Sequence, residues 1–297
     1  MKRIAIIGGG VAGLSAAVYA LRSGAEVTVF EQFGLGGLVA TIDKIENYPS
    51  YVSVEGYKLA SDMATQAKAL GLKTVRQKVL SLEKHGADFI IATDKAEYAF
   101  PSVVIATGTA HNKLGIEGDY VGNGVSYCAT CDGAFYRGCP VIVVGGGPQA
   151  AREALYLSDI CSKVYVAIPQ ENFTAEEMLV DTLLKKANVE VLYNTTVAEI
   201  TGEDAVSGVK IYSNNQVKEL QVNGVFVAIG AIPVTDFIHV EVEKQRGYIV
   251  VDDRCQTSVK GLFAAGDVTN GPLKQIVTAC ADGAKAGSFA SAYSKSL

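Results

Sequence analysis

Short apolar runs alternate with glycine turns along this chain. Arg3 to Ile7 is the first run. Gly8-Gly9-Gly10 follows, then a stretch of helical periodicity from Ala12 to Arg22, and a second run from Glu26 to Phe30. Unbroken apolar runs of this length read as buried parallel strands, and the change to a 3.6-residue period reads as the helix between them. A further helical stretch extends from about Gly56 to Leu70. Residues 73–100 alternate in polarity around turn residues at His85-Gly86 and Thr93-Asp94, a pattern that predicts antiparallel strands. Val103 to Ile105 is again apolar and runs into Ala106-Thr107-Gly108.

The pattern then starts over. A shift of 137 residues lays Gly145, Gly147 and Ala150 on Gly8, Gly10 and Gly13. The same shift lays Ala154 and Tyr156 on Ala17 and Tyr19, and Val164 and Val166 on Val27 and Val29. Asn188 to Thr201 and Gly208 to Gly224 read as strands with turns, and Val225 to Gly230 as the last apolar strand of this second unit. Such repetition predicts an α/β protein with two Rossmann-like, three-layer ββα nucleotide-binding domains built on one template.

Composition narrows the classes. The chain has 297 residues, room for two domains, and 49% of them are hydrophobic. A formal net charge of −5 with no basic block gives no nucleic-acid surface. No apolar run reaches the length of a membrane span. Met1-Lys2-Arg3 ahead of apolar residues imitates a signal peptide, but glycines interrupt that run at once, so a cytoplasmic protein is expected. In that compartment a disulfide is catalytic or sensing more often than structural.

The chemistry is carried by Cys128-Ala129-Thr130-Cys131-Asp132. Two cysteines at this spacing can close a disulfide across one turn or ligate a metal. Structural zinc commonly takes two such pairs. Here there is one; Cys139, Cys161, Cys255 and Cys280 are isolated and read as small buried apolar residues, and His85, His111 and His239 are scattered. No metal is expected. A dithiol set between two nucleotide-binding units reads as redox chemistry driven by a bound cofactor, with Asp132 placed to shuttle a proton to a leaving thiolate.

In the first unit Gly8 permits the tight turn, Gly10 lets the backbone approach a pyrophosphate, and Gly13 lets helix pack on strand. The helix N-terminus faces the phosphates, and Glu31, closing the next strand, can bind a ribose diol.

The opening glycine turn, Glu46-Asn47-Tyr48-Pro49, Ala106-Thr107-Gly108, Cys-Ala-Thr-Cys-Asp and Phe263-Ala264-Ala265-Gly266-Asp267-Val268 together resemble the low-molecular-weight thioredoxin reductases, over essentially the whole chain. In the related glutathione-reductase group the dithiol lies near the first glycine turn; here Gly36-Gly37 has no cysteine nearby. The resemblance implies a second domain inserted in the first: residues 1–112 and 238–297 for FAD, and 113–237 of pyridine-nucleotide type with the dithiol. The crossings are hinge candidates for a rotation that presents the dithiol to flavin and then to thioredoxin. It places Gly8, Gly10, Val11, Ala12, Gly13, Glu31, Gln32, Gly37, Leu38, Asn47, Val79, Ala106, Thr107, Gly108, Gly266 and Asp267 around FAD, with Asp267 on the ribityl chain. Lys274, Gln275 and Ile276 would begin a final helix aimed at the flavin pyrimidine, where a helix N-terminus stabilises an anionic reduced ring. Cys131 is by resemblance the sulfur nearest the flavin, Asp132 the proton donor or acceptor, and the protein a homodimer. Leu38 stands where many members have Gln, and Ser50 where many have Gly.

The second glycine turn departs further. Ile168 falls on the position of Glu31, whereas an NAD site wants an acid there and an NADP site nearby Arg. NADPH-linked thioredoxin reductases carry a His-Arg-Arg run and a later Arg at positions aligned with Ile168, Pro169, Gln170 and Thr174. Pro148 and Gln149 replace the usual small polar pair. Some relatives with this loss take electrons from ferredoxin, so the expected activity is reduction of thioredoxin, or a thioredoxin-like protein, with ferredoxin as donor. A reductase using NAD(P)H or a deazaflavin, and a non-catalytic flavin redox sensor, are the alternatives.

Overall fold

The strand Arg3–Ile7 sends alternate side chains to two different cores. Ile4 and Ile6 pack with residues of the helices, while Ala5 and Ile7 join Phe30, Leu82, Phe89 and Ile91. A strand buried on both faces requires a layer on each side, and the chain supplies both. The computed structural model describes residues 3–42, 44–213 and 215–297. Met1 and Lys2 of the basic start, and Asn214 within one expected strand, lie outside them. Among the described residues the α-helices are α1 (Val11–Arg22), α2 (Gly56–Ala69), α3 (Ala129–Asp132), α4 (Pro148–Ser158), α5 (Glu177–Leu184) and α6 (Ile276–Ser296). No helix among these residues is long and apolar enough to cross a membrane.

The chain divides into two compact units, Met1–Ala110 with Ile232–Leu297, and His111–Ala231. The expected changeovers lay near residues 113 and 238.

The first unit has a five-stranded parallel sheet in the order Leu262–Ala264, Ser102–Ile105, Arg3–Ile7, Glu26–Phe30, Lys73–Val75. Helices α1, α2 and α6 cover one face, and the antiparallel strands Val79–His85, Asp88–Thr93 and Glu97–Phe100 cover the other. Lys73–Val75 corrects the expectation of antiparallel pairing from residue 73 onward. It is a half-exposed parallel edge strand, and an edge strand shows the same polar alternation as a hairpin. Helix α6 lies tightly on α1 because a Cβ at Gly283 or Gly287 would come within 2.1 or 2.2 Å of the Ala12 or Ala16 carbonyl oxygen.

The second unit repeats the plan. Its parallel sheet runs Val189–Leu192, Lys163–Ala167, Pro140–Val144, Gly224–Val227, Val125–Ser126. Val141 and Val143 pack with α4 and α5; Ile142 and Val144 pack with the antiparallel strands Thr195–Gly202 and Val206–Ser213. The repeat extends to atoms. Gly8 N–H donates to Phe30 O at 2.9 Å, and Gly145 N–H to Ala167 O at 3.0 Å. Gly8 has φ +103° and room for no Cβ beside Ala106 O, as Gly145, at +141°, has none beside Ala228 O. The fold is therefore α/β, with two three-layer ββα units of Rossmann type.

Candidate active site

In the first unit the ends of the parallel strands open into a cleft. It is lined by Gly8, Gly10, Val11, Ala12, Glu31, Gly36, Gly37, Leu38, Ala106, Thr107, Gly108 and Asp267, with Val39, Thr109, Ala265 and Ala279. Gly10 is the N-cap of α1, and no side chain caps that terminus. A Cβ on Gly10 would meet only the Cα of Gly37, at 3.9 Å, so the cleft side of the turn is open to a ligand backbone. Gly13 serves packing instead: its Cβ would lie 2.0 Å from Gly8 O.

Glu31 is held before any ligand arrives. Its Oε2 accepts the Gly9 amide at 2.8 Å and its Oε1 the Phe33 amide at 2.9 Å. These bonds fix a carboxylate at one end of the cleft. Asp267 stands at the cleft too, its carboxyl pushed up by burial and partly held down by Lys274. Lys274 donates to Thr269 O and lies over the Tyr248 ring; burial pulls its own value down, against Asp267 and Asp282. Gln275 caps α6 in a reciprocal capping box with Thr278, and Asn47 Nδ2 donates to Gln275 Oε1 at 3.0 Å. A helix N-terminus without a side-chain cap, a tethered carboxylate and a glycine gap are what a dinucleotide cofactor needs.

The cleft lining does not include Gln32, Asn47, Val79, Gly266, Lys274, Gln275 or Ile276. Gln32 is exposed after Glu31, and Val79 opens its strand half-buried against the Phe30 core. Gly266, at φ +75°, lets Ala12 and Ala279 close over it. Gly36, at φ +125°, lines the cleft, although the sequence placed only its neighbour Gly37 at the cofactor. Ser50 has φ +84°, the left-handed region that a glycine adopts without strain.

In the second unit Cys128 and Cys131 form a disulfide across the first turn of α3. Ser126, buried and unremarked in the sequence, binds both ends of the motif. Its Oγ accepts the Cys128 amide at 3.0 Å and donates to Asp132 Oδ2 at 2.6 Å. The approach to the motif is anchored by Glu117, whose carboxylate accepts from Tyr127 OH and from the Leu114 and Gly115 amides. Burial pushes Glu117 up, but these bonds outweigh it and hold the group below its ordinary value. Of the other cysteines, Cys161 and Cys255 are buried, whereas Cys139 and Cys280 are only half-buried, which corrects their reading as core residues.

The second glycine turn is closed by its own chain. Ile168 is 0% exposed and packs in the core. Its Cγ2 would sit 2.6 Å from a Cβ on Gly146, the place that Glu31 takes over Gly9. Thr174 donates its amide and hydroxyl to Gly146 O, at 2.8 and 3.3 Å. No Lys, Arg or His occurs between Lys163 and Lys185.

Comparison with known proteins agrees with this geometry. The family model described as pyridine nucleotide-disulphide oxidoreductase matches residues 2–283. The thioredoxin reductase of Treponema pallidum is 39% identical over 99% of this chain and 97% of its own. The crystal structure of a Streptococcus pyogenes thioredoxin reductase superposes with a TM-score of 0.94 at 38% identity, over 100% and 99% of the two chains. That of a ferredoxin-flavin thioredoxin reductase from Clostridium acetobutylicum gives 0.56 at 29% identity, over 100% and 99%. The chain belongs to the pyridine nucleotide-disulphide oxidoreductases and is a homologue of the thioredoxin reductases. It is an oxidoreductase, and its cofactor is FAD, which the first-unit cleft fits.

Proposed function

We propose that this protein reduces thioredoxin, or a thioredoxin-like protein, through Cys128 and Cys131, and that a one-electron protein donor of ferredoxin type supplies the electrons. The observation that carries the donor reading is Ile168, a buried isoleucine where a nicotinamide-nucleotide site needs an acid or a neighbouring cation. A ferredoxin-flavin thioredoxin reductase from Clostridium acetobutylicum shares the fold at 29% identity, so the scaffold is compatible with such a donor. When bound, FAD supplies a group that accepts electrons singly and delivers them in pairs to a disulfide. The chain's own residues do the rest. The α1 N-terminus would hold the pyrophosphate, Glu31 the ribose and Asp267 the ribityl chain, and the start of α6 would meet the pyrimidine edge. Cys131 is the sulfur that receives the electron pair, and Asp132, oriented by Ser126, exchanges the proton. The dithiol then attacks the substrate disulfide through a mixed disulfide. A homodimer in the cytoplasm completes the reading.

Sustained turnover tests it. FAD-loaded protein given excess oxidised thioredoxin and a continuous reductant should complete many turnovers per flavin. A single turnover would instead mark a redox sensor. Glu31→Ala should weaken FAD binding by about ten- to a hundredfold in a titration of apoprotein by flavin fluorescence, the worth of one charge-assisted bond. Unchanged affinity would remove Glu31 from the site.

A further inference from the structure

Glu153 is a half-buried acid, its Oε2 shielded from solvent, that the proposed chemistry leaves unused. It lies on α4 beneath the first turn of α3. The two helices run side by side: the Ala129 amide faces the Glu153 carboxyl, and four residues on, a Cβ at Gly133 would lie 2.9 Å from Leu157 and 3.1 Å from Tyr156. Oε1 accepts Gln149 Nε2 at 3.0 Å, and Oε2 is buried with no hydrogen-bond partner. An unpartnered buried carboxylate oxygen is costly, and a nearby second charge raises the cost. Burial pushes this carboxyl up to about 7; the Gln149 bond and the facing Ala129 amide offset only part of that.

The titratable groups on the elements packed around it are few. Helix α3 contributes the Cys128–Cys131 pair and Asp132, and the segment after it contributes Tyr136. On α4 itself Arg152 is exposed, and on α5 Glu177 and Asp181 are exposed. Of the strands beneath, Lys163 is paired with Glu190. Among the described residues no cation forms an ion pair with Glu153.

We infer that Glu153 is a positioning residue that couples protonation to the redox state of the dithiol. The inference rests on the reading of Cys128 and Cys131 as the working disulfide. Reduction breaks the S–S bond, brings in two electrons from flavin or from an added dithiol reductant, and takes one proton to one sulfur, leaving the other as thiolate. That new negative charge disfavours an ionised Glu153, so the carboxyl takes up a second proton. Reoxidation of the dithiol releases it.

The test is an equilibrium. FAD-loaded wild type and Glu153→Gln are poised with reduced and oxidised dithiothreitol from pH 5.5 to 9 (about the usable range for thiol exchange). The fraction of reduced Cys128/Cys131 is then counted by alkylation and mass spectrometry. Below pH 6 or so the two proteins should agree, because a neutral Glu resembles Gln. Above about pH 8 the variant should favour the reduced form about tenfold, since one unit of pKa coupling is a factor of ten. A ratio that does not change with pH, whatever its value, overturns the inference. Should Glu153→Gln fail to fold, carboxyl-¹³C titration of labelled wild type decides: the Glu153 midpoint must rise on reduction, and an unchanged midpoint overturns the coupling. A pH-dependent ratio in a protein that does not turn over thioredoxin would sink the proposed substrate and leave Glu153 coupled to the dithiol.

Discussion

Cys131→Ser is expected to abolish reduction of thioredoxin while leaving bound FAD unchanged. The disulfide between Cys128 and Cys131 is the bond that must be broken and re-formed, and a serine hydroxyl can do neither. The FAD cleft is lined by residues of the first unit, whereas Cys131 belongs to the second, so the substitution leaves the cleft lining intact. The turn should survive as well. The residue-131 amide donates to Cys128 O at 3.2 Å, and the Ser126 bonds to the Cys128 amide and to Asp132 do not involve the sulfur. The expected loss is at least about a thousandfold in turnover, a loss of the reacting group itself rather than of a stabilising contact. The measurement pairs a flavin-to-protein absorbance ratio with steady-state thioredoxin reduction under a continuous donor. Full reduction by the variant would take the dithiol out of the mechanism. Loss of FAD along with activity would show that the substitution disturbs the fold rather than the redox step alone.

The sequence carried the scaffold further than the chemistry. The 137-residue shift that aligned Gly8 with Gly145 also aligns Ile4 and Ile6 with Val141 and Val143, and the strand Arg3–Ile7 with Pro140–Val144. Period-2 alternation inside two apolar runs survives because each strand feeds two cores. Pairing direction was legible in the apolar runs but not in the polar-alternating edge strands: Lys73–Val75 and Val189–Leu192 are parallel, and polarity alternation is the same either way. Helix α5 was missed because its apolar stripe is short and only Leu183 is fully buried. At the site, glycines and the cysteine spacing were readable because backbone geometry demands them. Ser126 and Glu153 were not. Each acts through a neighbour brought close by folding, Asp132 for one and the Ala129 amide for the other, and neither spacing has a periodic signature.

Micromolar NADPH is expected to bleach the flavin slowly and without saturation, NADH scarcely faster, and reduced ferredoxin rapidly. The second glycine turn lacks three things that a nicotinamide nucleotide uses. No cation stands between Lys163 and Lys185 to meet a 2′-phosphate; two charge-assisted bonds at about 1.5–3 kcal/mol each are worth about two to four powers of ten in affinity. No acid stands at Ile168 to bind a ribose diol, and that side chain is sealed in the core, so no rotamer change exposes a substitute. Helix α4 opens with Pro148, which has no N–H, so its N-terminus offers a pyrophosphate one amide fewer than α1, where Val11 occupies that place. Thr174 already takes the Gly146 carbonyl, which fixes the loop over the turn. A protein donor avoids this turn and needs only a route to the flavin edge. Ferredoxins are usually acidic and this chain carries −5, so docking has to use a local basic patch, and the rate should fall as salt rises. Anaerobic mixing of the oxidised FAD protein with each donor, followed by flavin absorbance, separates the cases. Rapid, saturable bleaching by micromolar NADPH would overturn the ferredoxin reading and restore an NADPH-dependent reductase whose phosphate clamp comes from outside residues 168–174.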